Sequence, residues 1–295
     1  MSVVALWSRR RVTAQKMTRS RAARELVMGS TLFGIVVLMC ILVPVFSPYS
    51  PTRLASRPFL SPSLTHFFGT DEYGRDVFVR VFAGGRLDIA AGILIVVISA
   101  VLGSVIGTFS GATRAGWLDS VLMRIVDGVI AFPFIILVVT IAVIIGFGRS
   151  LGPLPAGVPA VSAAIIFVDW TIYARLARNE TKLLREREFV LAARLSGYSQ
   201  GRILRRHLMP GVRMTTASYA VSDFILVVVA IASLSFIGVG VQPPAPEWGA
   251  IMYEGRPYIA TAWWITITPG LVLAITGVAV ALIADSVLAR TRDIV

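Results

Sequence analysis

Few side chains in this sequence could carry out chemistry. It contains only two lysines, Lys16 and Lys182, and neither follows a glycine, so the phosphate-binding pattern G-x-x-x-x-G-K-[ST] is absent. The chain is therefore not expected to hydrolyse ATP by that route. The single cysteine, Cys40, excludes an intrachain disulfide. No metal site is predicted, because the topology below places His66 and His207 on opposite sides of a membrane.

Three aspartates fall within long apolar runs or at their ends: Asp127, Asp169 and Asp223. Ionisable groups are costly inside a bilayer and usually face a cavity or a partner. These residues are therefore candidates for a transport pathway or a subunit interface. The alternative is that each lies at headgroup level beside a basic residue such as Arg124 or Arg175.

The segment from 185 to 210 combines charge with helical periodicity. Its apolar residues Phe189, Ala192, Ala193 and Ser196 recur on one helical face. Gly197 fits the left-handed position that ends a helix. Ser199 can cap a second short helix, which Pro210 is expected to terminate. A face of small residues suits docking into a protein groove, whereas the alternative is an amphipathic hairpin lying on anionic lipid.

The elements that position these residues are transmembrane helices. Of the 295 residues, 56% are hydrophobic and 15% charged, against about 25% charged in soluble domains. Six apolar runs are long enough to cross a bilayer, which takes about 20 residues. The first is interpreted as a retained anchor, since a basic tail precedes it and no small-residue cleavage site follows. The fold class is therefore an all-α integral membrane protein with six transmembrane helices.

Basic residues set the predicted orientation. With an inner amino terminus, 21 of the 28 lysines and arginines lie on the inner side and 7 on the outer side. Positive charge near short loops marks the cytoplasmic face, so both termini are predicted in the cytoplasm. The net charge of +12 is thus a topology signal, and no nucleic-acid partner is expected.

The predicted organisation starts with a basic cytoplasmic tail (1–25), a first helix (26–46) and an extracytoplasmic loop (47–86) that is either an ordered cap or a docking surface. A five-helix core (87–289) and a short tail (290–295) follow. The core helices are expected at about 89–109, 125–146, 156–176, 214–237 and 263–285. Gly103, Gly107 and Gly111 leave one face of the second helix bare for close packing. Pro133 and Pro269 are expected to kink their spans.

The segment 185–210 resembles the EAA loop of binding-protein-dependent ABC importer permeases, whose pattern is E-A-A, three residues, G, nine residues, I, one residue, L-P. The matching positions are Leu191, Ala192, Ala193, Gly197, His207, Met209 and Pro210. Leu191 stands where the family has glutamate. The resemblance implies that this loop is a coupling helix, which docks on a separate ATPase subunit.

Two outer segments resemble the dipeptide, oligopeptide and nickel permeases within this family. The H-x-F-G-T-D-x-x-G-R-D motif is matched by Gly69, Thr70, Asp71, Gly74, Arg75 and Asp76, and the L-S-F-L-G-L-G-V-Q-P-P-x-P-x-W-G motif includes Gln242, Pro243, Pro244, Trp248 and Gly249. Together the three motifs and the six-span layout imply the second permease type, with the type I ABC importer permease fold.

The resemblance also implies the assembly. The partners would be a homologous second permease, two ATPase subunits that hold ATP and magnesium, an extracytoplasmic binding protein and membrane lipid. This chain itself would hold no cofactor and would lie in the cell membrane. Peptides are the expected cargo, with nickel or another small solute as the alternative. An ion-coupled secondary transporter, a channel and a lipid-facing membrane enzyme are the rival classes.

Overall fold

The computed structural model describes residues 3–113, 116–148, 150–152 and 154–292, with side chains from residue 21 to residue 289 of those ranges. The described residues form α-helices joined by loops, with two isolated bridge pairs. The helices are α1 (Val3–Phe46), α2 (Val77–Ala112), α3 (Gly116–Ile130), α4 (Phe134–Ile145), α5 (Val158–Arg185), α6 (Glu188–Leu195), α7 (Gln200–Ile203), α8 (Met209–Phe236), α9 (Trp248–Gly255) and α10 (Trp264–Arg292). A π-helical turn (Leu204–Leu208) joins α7 to α8, and a 3₁₀ turn (Arg256–Tyr258) follows α9.

Five helical segments are long and apolar enough to cross a membrane: Arg21–Phe46, Val77–Ala112, Val158–Arg185, Gln200–Phe236 and Trp264–Ala289. The pair α3 and α4 provides a sixth crossing if the two are taken as one broken span. Neither helix of that pair reaches the roughly 20 residues needed to span alone, since α3 has 15 residues and α4 has 12.

The membrane helices extend beyond the predicted apolar runs. Helix α1 begins at Val3, so most of the predicted tail 1–25 is helical rather than a separate region. Helix α2 begins at Val77, within the predicted loop 47–86, because the carboxylate of Asp76 caps it by accepting from Val79 N at 2.9 Å. Similarly, α5 continues past 176 to Arg185 and α10 continues past 285 to Arg292. Hydropathy marks the lipid-buried part of a helix, whereas capping and backbone hydrogen bonds set its ends.

The predicted helix 125–146 is two helices. Helices α3 and α4 meet at 94°, with Pro133 as the residue before α4. Pro133 has no N–H to continue the hydrogen-bond ladder of α3, and its ring clashes with the preceding turn. The sequence predicted a kink at this proline, whereas the structure has a complete break between two helices. Helix α10, in contrast, continues through Pro269.

The predicted bare face of α2 packs directly on α5. A Cβ built on Gly107 would lie 2.8 Å from the carbonyl carbon of Ala174, and one on Gly111 would lie 2.8 Å from Arg178 O. A Cβ on Gly103 would lie 2.8 Å from Ala174 N. In lipid, helices associate through van der Waals contact that small residues allow. This glycine face therefore fixes α2 against the helix that leads into segment 185–210.

Helix α1 packs on α10, and an arginine of α2 compensates for its proline. Pro44 cannot donate to the carbonyl of Cys40 four residues earlier. Arg86 donates to that carbonyl from Nε at 2.6 Å, and its Nη2 donates to the carbonyl of Ile41. The guanidinium thus replaces the hydrogen bond that α1 loses and ties α1 to α2.

Candidate functional site: a coupling segment and an outer charged cap

Segment 185–210, the predicted coupling segment between α5 and α8, folds as predicted, as a helix, a glycine turn and a second short helix. Gly197 has a φ of +78°. Tyr198 N donates to Ala193 O at 3.1 Å and Gly197 N donates to Arg194 O at 3.0 Å. These bonds form a Schellman motif, which satisfies the last carbonyls of α6. A Cβ on Gly197 would meet open space, so the glycine is needed for its backbone conformation and not for close packing.

One side of α6 is buried within the segment and the other is free. Val190 and Ala193 pack against Ile203 and Leu208 in a small core of their own. The outward residues are exposed: Phe189, Leu191, Ala192, Leu195 and Ser196. Of the four residues predicted on one face, only Ala193 is buried. The exposed side remains apolar, because Leu191 is 55% and Leu195 is 83% exposed.

The second half of the segment differs from the prediction at its end. Ser199 caps α7 as expected, its hydroxyl accepting from Arg202 N at 3.4 Å. Pro210, however, terminates no helix: it lies in the first turn of α8, and the π-helical turn leads into it. A proline in the first helical turn loses no hydrogen bond, since that N–H has no partner in the helix anyway. Met209 precedes it and is partly buried.

His207 lies inside the segment and links its two halves. Its ring centroid is 6.2 Å from that of Phe189 in α6 and 6.0 Å from that of Tyr198 in the glycine turn. His66, at the other end of the molecule, hydrogen-bonds through Nδ1 to Asp76 at 2.7 Å. The two histidines therefore make separate contacts in different parts of the chain. Among the described residues, neither forms part of a possible metal cluster.

An ion-pair cluster anchors α5 just before the coupling segment. The carboxylate of Asp119 in α3 accepts from Arg178 Nε at 2.5 Å, Lys182 Nζ at 2.7 Å and Ser110 Oγ at 2.6 Å. Arg185, the last residue of α5, donates to Gly111 O at 2.7 Å. The last turn of α2, the first turn of α3 and the last two turns of α5 are thereby joined. Asp119 was not predicted, because its partners Arg178 and Lys182 lie 59 and 63 residues away on another helix.

The motif from 69 to 76 is an ordered part of loop 47–86, which is called the cap below. Asp71 accepts from the backbone N–H groups of Tyr73 and Arg75, both at 2.9 Å, and from Arg75 Nε at 2.5 Å. Gly69 and Gly74 have φ values of +71° and +78°. Thr70 Oγ1 donates to Arg57 O at 2.7 Å. These hydrogen bonds close the turn and order the motif.

The cap is tied to α9 by buried charges. Arg75 donates to Glu254 at 2.8 Å and Arg80 donates to the same carboxylate oxygen at 2.7 Å. Arg80 is fully buried, and Glu254 is 7% exposed at its side chain. Burial also raises the pKa of the neighbouring Glu72 carboxyl. Removing one partner from such a group leaves an unpaired buried charge, which strongly destabilises the folded state. Arg80 and Glu254 were not predicted as partners, because they lie 174 residues apart in the sequence.

The second outer motif begins α9. Trp248 is fully buried, its indole Nε1 donating to Val81 O at 2.8 Å, and Gly249 lies against the carbonyl of Ala232. Glu247 caps the helix by accepting from Gly249 N and Ala250 N at 2.9 and 2.7 Å, and burial raises the pKa of its carboxyl. Gln242 N donates to Ala156 O at 3.0 Å, while Pro243 and Pro244 are exposed. Glu247 was missed because glutamate is not one of the residue types that usually cap a helix.

The three predicted aspartates have different surroundings. Asp127 is exposed and pairs with Arg175, as the headgroup alternative suggested. Asp169 and Asp223 are each 3% exposed, and Tyr173, one turn after Asp169 on α5, donates to Asp223 at 2.8 Å inside the chain. Their burial favours a contact within this chain over a pathway or subunit interface for this pair.

The architecture defines the chain as a multi-pass, all-helical membrane protein with the type I fold of ABC importers. The fold is similar to that of a solved inward-facing MetNI methionine ABC transporter, with a TM-score of 0.57, 23% identity, and coverage of 72% of this chain and 95% of that chain. A second crystal form of that transporter gives a TM-score of 0.53 at 24% identity.

The chain belongs to the family of binding-protein-dependent transport system inner membrane components, whose family model matches residues 103–293. A Brucella suis protein named as a peptide transport system permease is 37% identical over 276 residues, covering 93% of this chain and 88% of that protein. An Escherichia coli K12 protein named for D,D-dipeptide transport is 33% identical over 94% of this chain and 93% of its own length. A Shigella sonnei protein named for glutathione transport is 33% identical over 89% of this chain and 84% of its own length.

Proposed function

We propose that this chain is one permease subunit of an ATP-driven importer that takes up peptides delivered by an extracytoplasmic binding protein. The observation that carries this proposal is the similarity, along nearly the whole chain, to permeases named for peptide, D,D-dipeptide and glutathione transport. Each of those cargoes is a small peptide or a peptide-like compound. The proposed cargo is therefore a di- or oligopeptide.

The energy source in this proposal is a pair of separate ATPase subunits. This chain lacks the lysine-containing phosphate loop, so ATP and magnesium are assigned to those partners. The free apolar side of α6 supports the assignment. Exposed apolar residues rimmed by charge mark protein docking sites, and here Leu191 and Leu195 are flanked by Arg187 and Arg194. A homologous second permease completes the proposed membrane unit.

The mechanism in this proposal is a lever. Segment 185–210 lies on the cytoplasmic side if both termini are cytoplasmic, as the distribution of basic charge predicts. Closure of the ATPase pair displaces α6, and the displacement passes to α5 and α8, which continue from the two ends of the segment. Only an interaction that differs between inward-open and outward-open states can shift their equilibrium. ATP-dependent closure provides that difference.

The direct test is purification of the tagged chain from its host membrane together with its partners. Mass spectrometry is expected to identify a second permease, ATPase subunits and a binding protein. In proteoliposomes, uptake of a labelled dipeptide or tripeptide is expected to require ATP and to be blocked by vanadate. Uptake driven by an ion gradient without ATP would refute the proposal, and uptake of nickel in place of peptide would refute the cargo.

Two glycines of the coupling segment provide a matched pair of variants for the lever. Gly197→Ala places a Cβ in the left-handed region, at a cost of about 1–2 kcal/mol. That cost corresponds to roughly 5–30-fold in an equilibrium constant. The rate of ATP-driven uptake is expected to decrease by a factor of the same size. Gly201→Ala, in α7 with open space around its Cβ and no positive φ, is expected to retain uptake. Equal uptake by the two variants would contradict the lever.

A further inference from the structure

Two neighbouring buried acids on membrane helices, Asp169 and Asp223, form no ion pair with a described basic residue. Asp169 of α5 and Asp223 of α8 are each 3% exposed. Tyr173, one turn after Asp169 on the same face of α5, donates to Asp223 at 2.8 Å, so the two carboxyl groups are neighbours. Among the described side chains, no lysine, arginine or histidine forms an ion pair with either acid. Two carboxylates in contact in a low-dielectric interior cannot both stay ionised, because desolvation and mutual repulsion both oppose the second charge.

The hydrogen bonds around the pair are uneven. The hydroxyl of Tyr173 donates to Asp223 Oδ2 at 2.8 Å, so Asp223 has a donor suited to a carboxylate. Asp169 Oδ2 is buried and accepts no hydrogen bond from the described residues. Beside it lies the hydroxyl of Ser99 from α2, which is fully buried and likewise forms no hydrogen bond of normal geometry there. Buried polar atoms rarely remain unpaired. These two atoms therefore indicate that a hydrogen-bonding proton or ion completes the site.

We infer that Asp169 and Asp223 form a proton-binding site, in which one proton lies on Asp169 and is donated to the carboxylate of Asp223. The carboxylate keeps its bond from Tyr173, and the hydroxyl of Ser99 is left to donate to Asp169. The proton comes from water and returns to water, and the occupied pair carries a single negative charge. The other titratable groups facing the pair are Tyr173 of α5 and Tyr219 of α8; α2 contributes Ser99.

The position of this site connects it to the coupling segment. Asp169 lies 16 residues before the end of α5 and Asp223 lies 14 residues after the start of α8, which is roughly 24 and 21 Å along the two helices at 1.5 Å per residue. The shared proton therefore bonds the two helices together at about the same height above α6. Loss of the proton would set two like charges against each other across that contact. This consequence for transport rests on the proposed function, whereas the proton site itself rests on the contacts alone.

Infrared spectroscopy of the purified complex in nanodiscs tests the proton site directly. A protonated carboxyl gives a carbonyl-stretch band that shifts in D₂O. At neutral pH, the spectrum of the wild type minus that of Asp169→Asn is expected to contain one such band per chain, because the amide in the variant can still donate to Asp223 without a proton. The matched control is Asp127→Asn, which changes an exposed, ion-paired aspartate and is expected to leave no such band in the difference spectrum.

A second variant guards against a fold defect in the first. Tyr173→Phe removes only the hydroxyl that bonds Asp223, so the protonated-carboxyl band is expected to persist at a shifted frequency. A difference spectrum without the band, or a band abolished by added Na⁺ at constant pH, would overturn the inference, the latter in favour of a cation site.

Uptake in proteoliposomes then separates this inference from the proposed function. Wild-type peptide uptake is expected to change as the pH rises past the point where the proton leaves, since the occupied fraction then falls up to about tenfold per pH unit. Asp169→Asn is expected to flatten that profile. A flat wild-type profile, or the same profile in both proteins, would overturn the link to the lever. Absence of peptide uptake together with an intact band would refute the proposed function alone.

Discussion

Replacing Gly107 tests whether the contact between α2 and α5 depends on the missing side chain. A Cβ at this position would lie 2.8 Å from the carbonyl carbon of Ala174 and 2.9 Å from its Cα. Ordinary contacts between carbon atoms are about 3.5–4.0 Å. The two helices must therefore separate locally by about 1 Å to accept Gly107→Ala.

The cost of that separation follows from dispersion. A gap of about 0.5–1 Å removes a quarter to a half of the roughly 0.1–0.2 kcal/mol that each atom pair contributes. Over roughly 30 pairs along one turn of the contact, the loss is about 1–3 kcal/mol. Alanine in place of glycine within a helix gains about 0.5–1 kcal/mol on its own. That gain must be measured separately before the loss at the interface can be assigned.

Gly34→Ala is the matched control, because Gly34 lies in α1 with nothing within 4 Å of a Cβ. We expect Gly34→Ala to be slightly stabilising and Gly107→Ala to fall about 1–3 kcal/mol below it in free energy of unfolding. Guanidinium unfolding in detergent micelles, followed by tryptophan fluorescence, measures the difference. Equal stability of the two variants would show that the close contact of α2 with α5 does not need the glycine.

Three further predictions concern charges and a proline. Arg80→Met leaves the buried carboxylate of Glu254 with one partner fewer and should lower the free energy of unfolding by about 3–5 kcal/mol. Adding Glu254→Gln to that variant should restore part of the loss. If thermal unfolding shows no restoration, the two residues do not act as a pair. Arg86→Met should destabilise the chain by about 1–3 kcal/mol by leaving backbone carbonyls unpaired, and Pro44→Ala should reduce that effect by returning an N–H, so an unchanged effect in the double variant would contradict the compensation. Because burial raises the pKa of Glu72, the folded state binds its proton more tightly than the unfolded state; thermal unfolding should show stability falling as the pH rises through that folded pKa, and Glu72→Gln should remove this dependence.

Much of the fold was predictable, because a bilayer imposes strong rules on sequence. The apolar runs located the spans, since lipid offers no partner for a backbone outside a helix. The glycine spacing predicted the packed face of α2, and Gly197 with Ser199 predicted the helix, turn and helix of the coupling segment. These features are local, so neighbouring residues determine them. The break at Pro133 was harder to predict, because a proline in a membrane helix is compatible with a mild kink as well as a 94° turn.

The sequence by itself thus determined where the apolar spans lie, the helix, turn and helix of segment 185–210, and the family. Only the tertiary structure decided which charges meet. Arg80 and Glu254 lie 174 residues apart, and Asp169 and Asp223 lie on helices separated by the whole coupling segment. A charged residue in an apolar run has the same sequence signature whether it faces lipid headgroups, a pathway or another acid. Its partner depends on the rotation and approach of two packed helices, and that geometry exists only once they have packed.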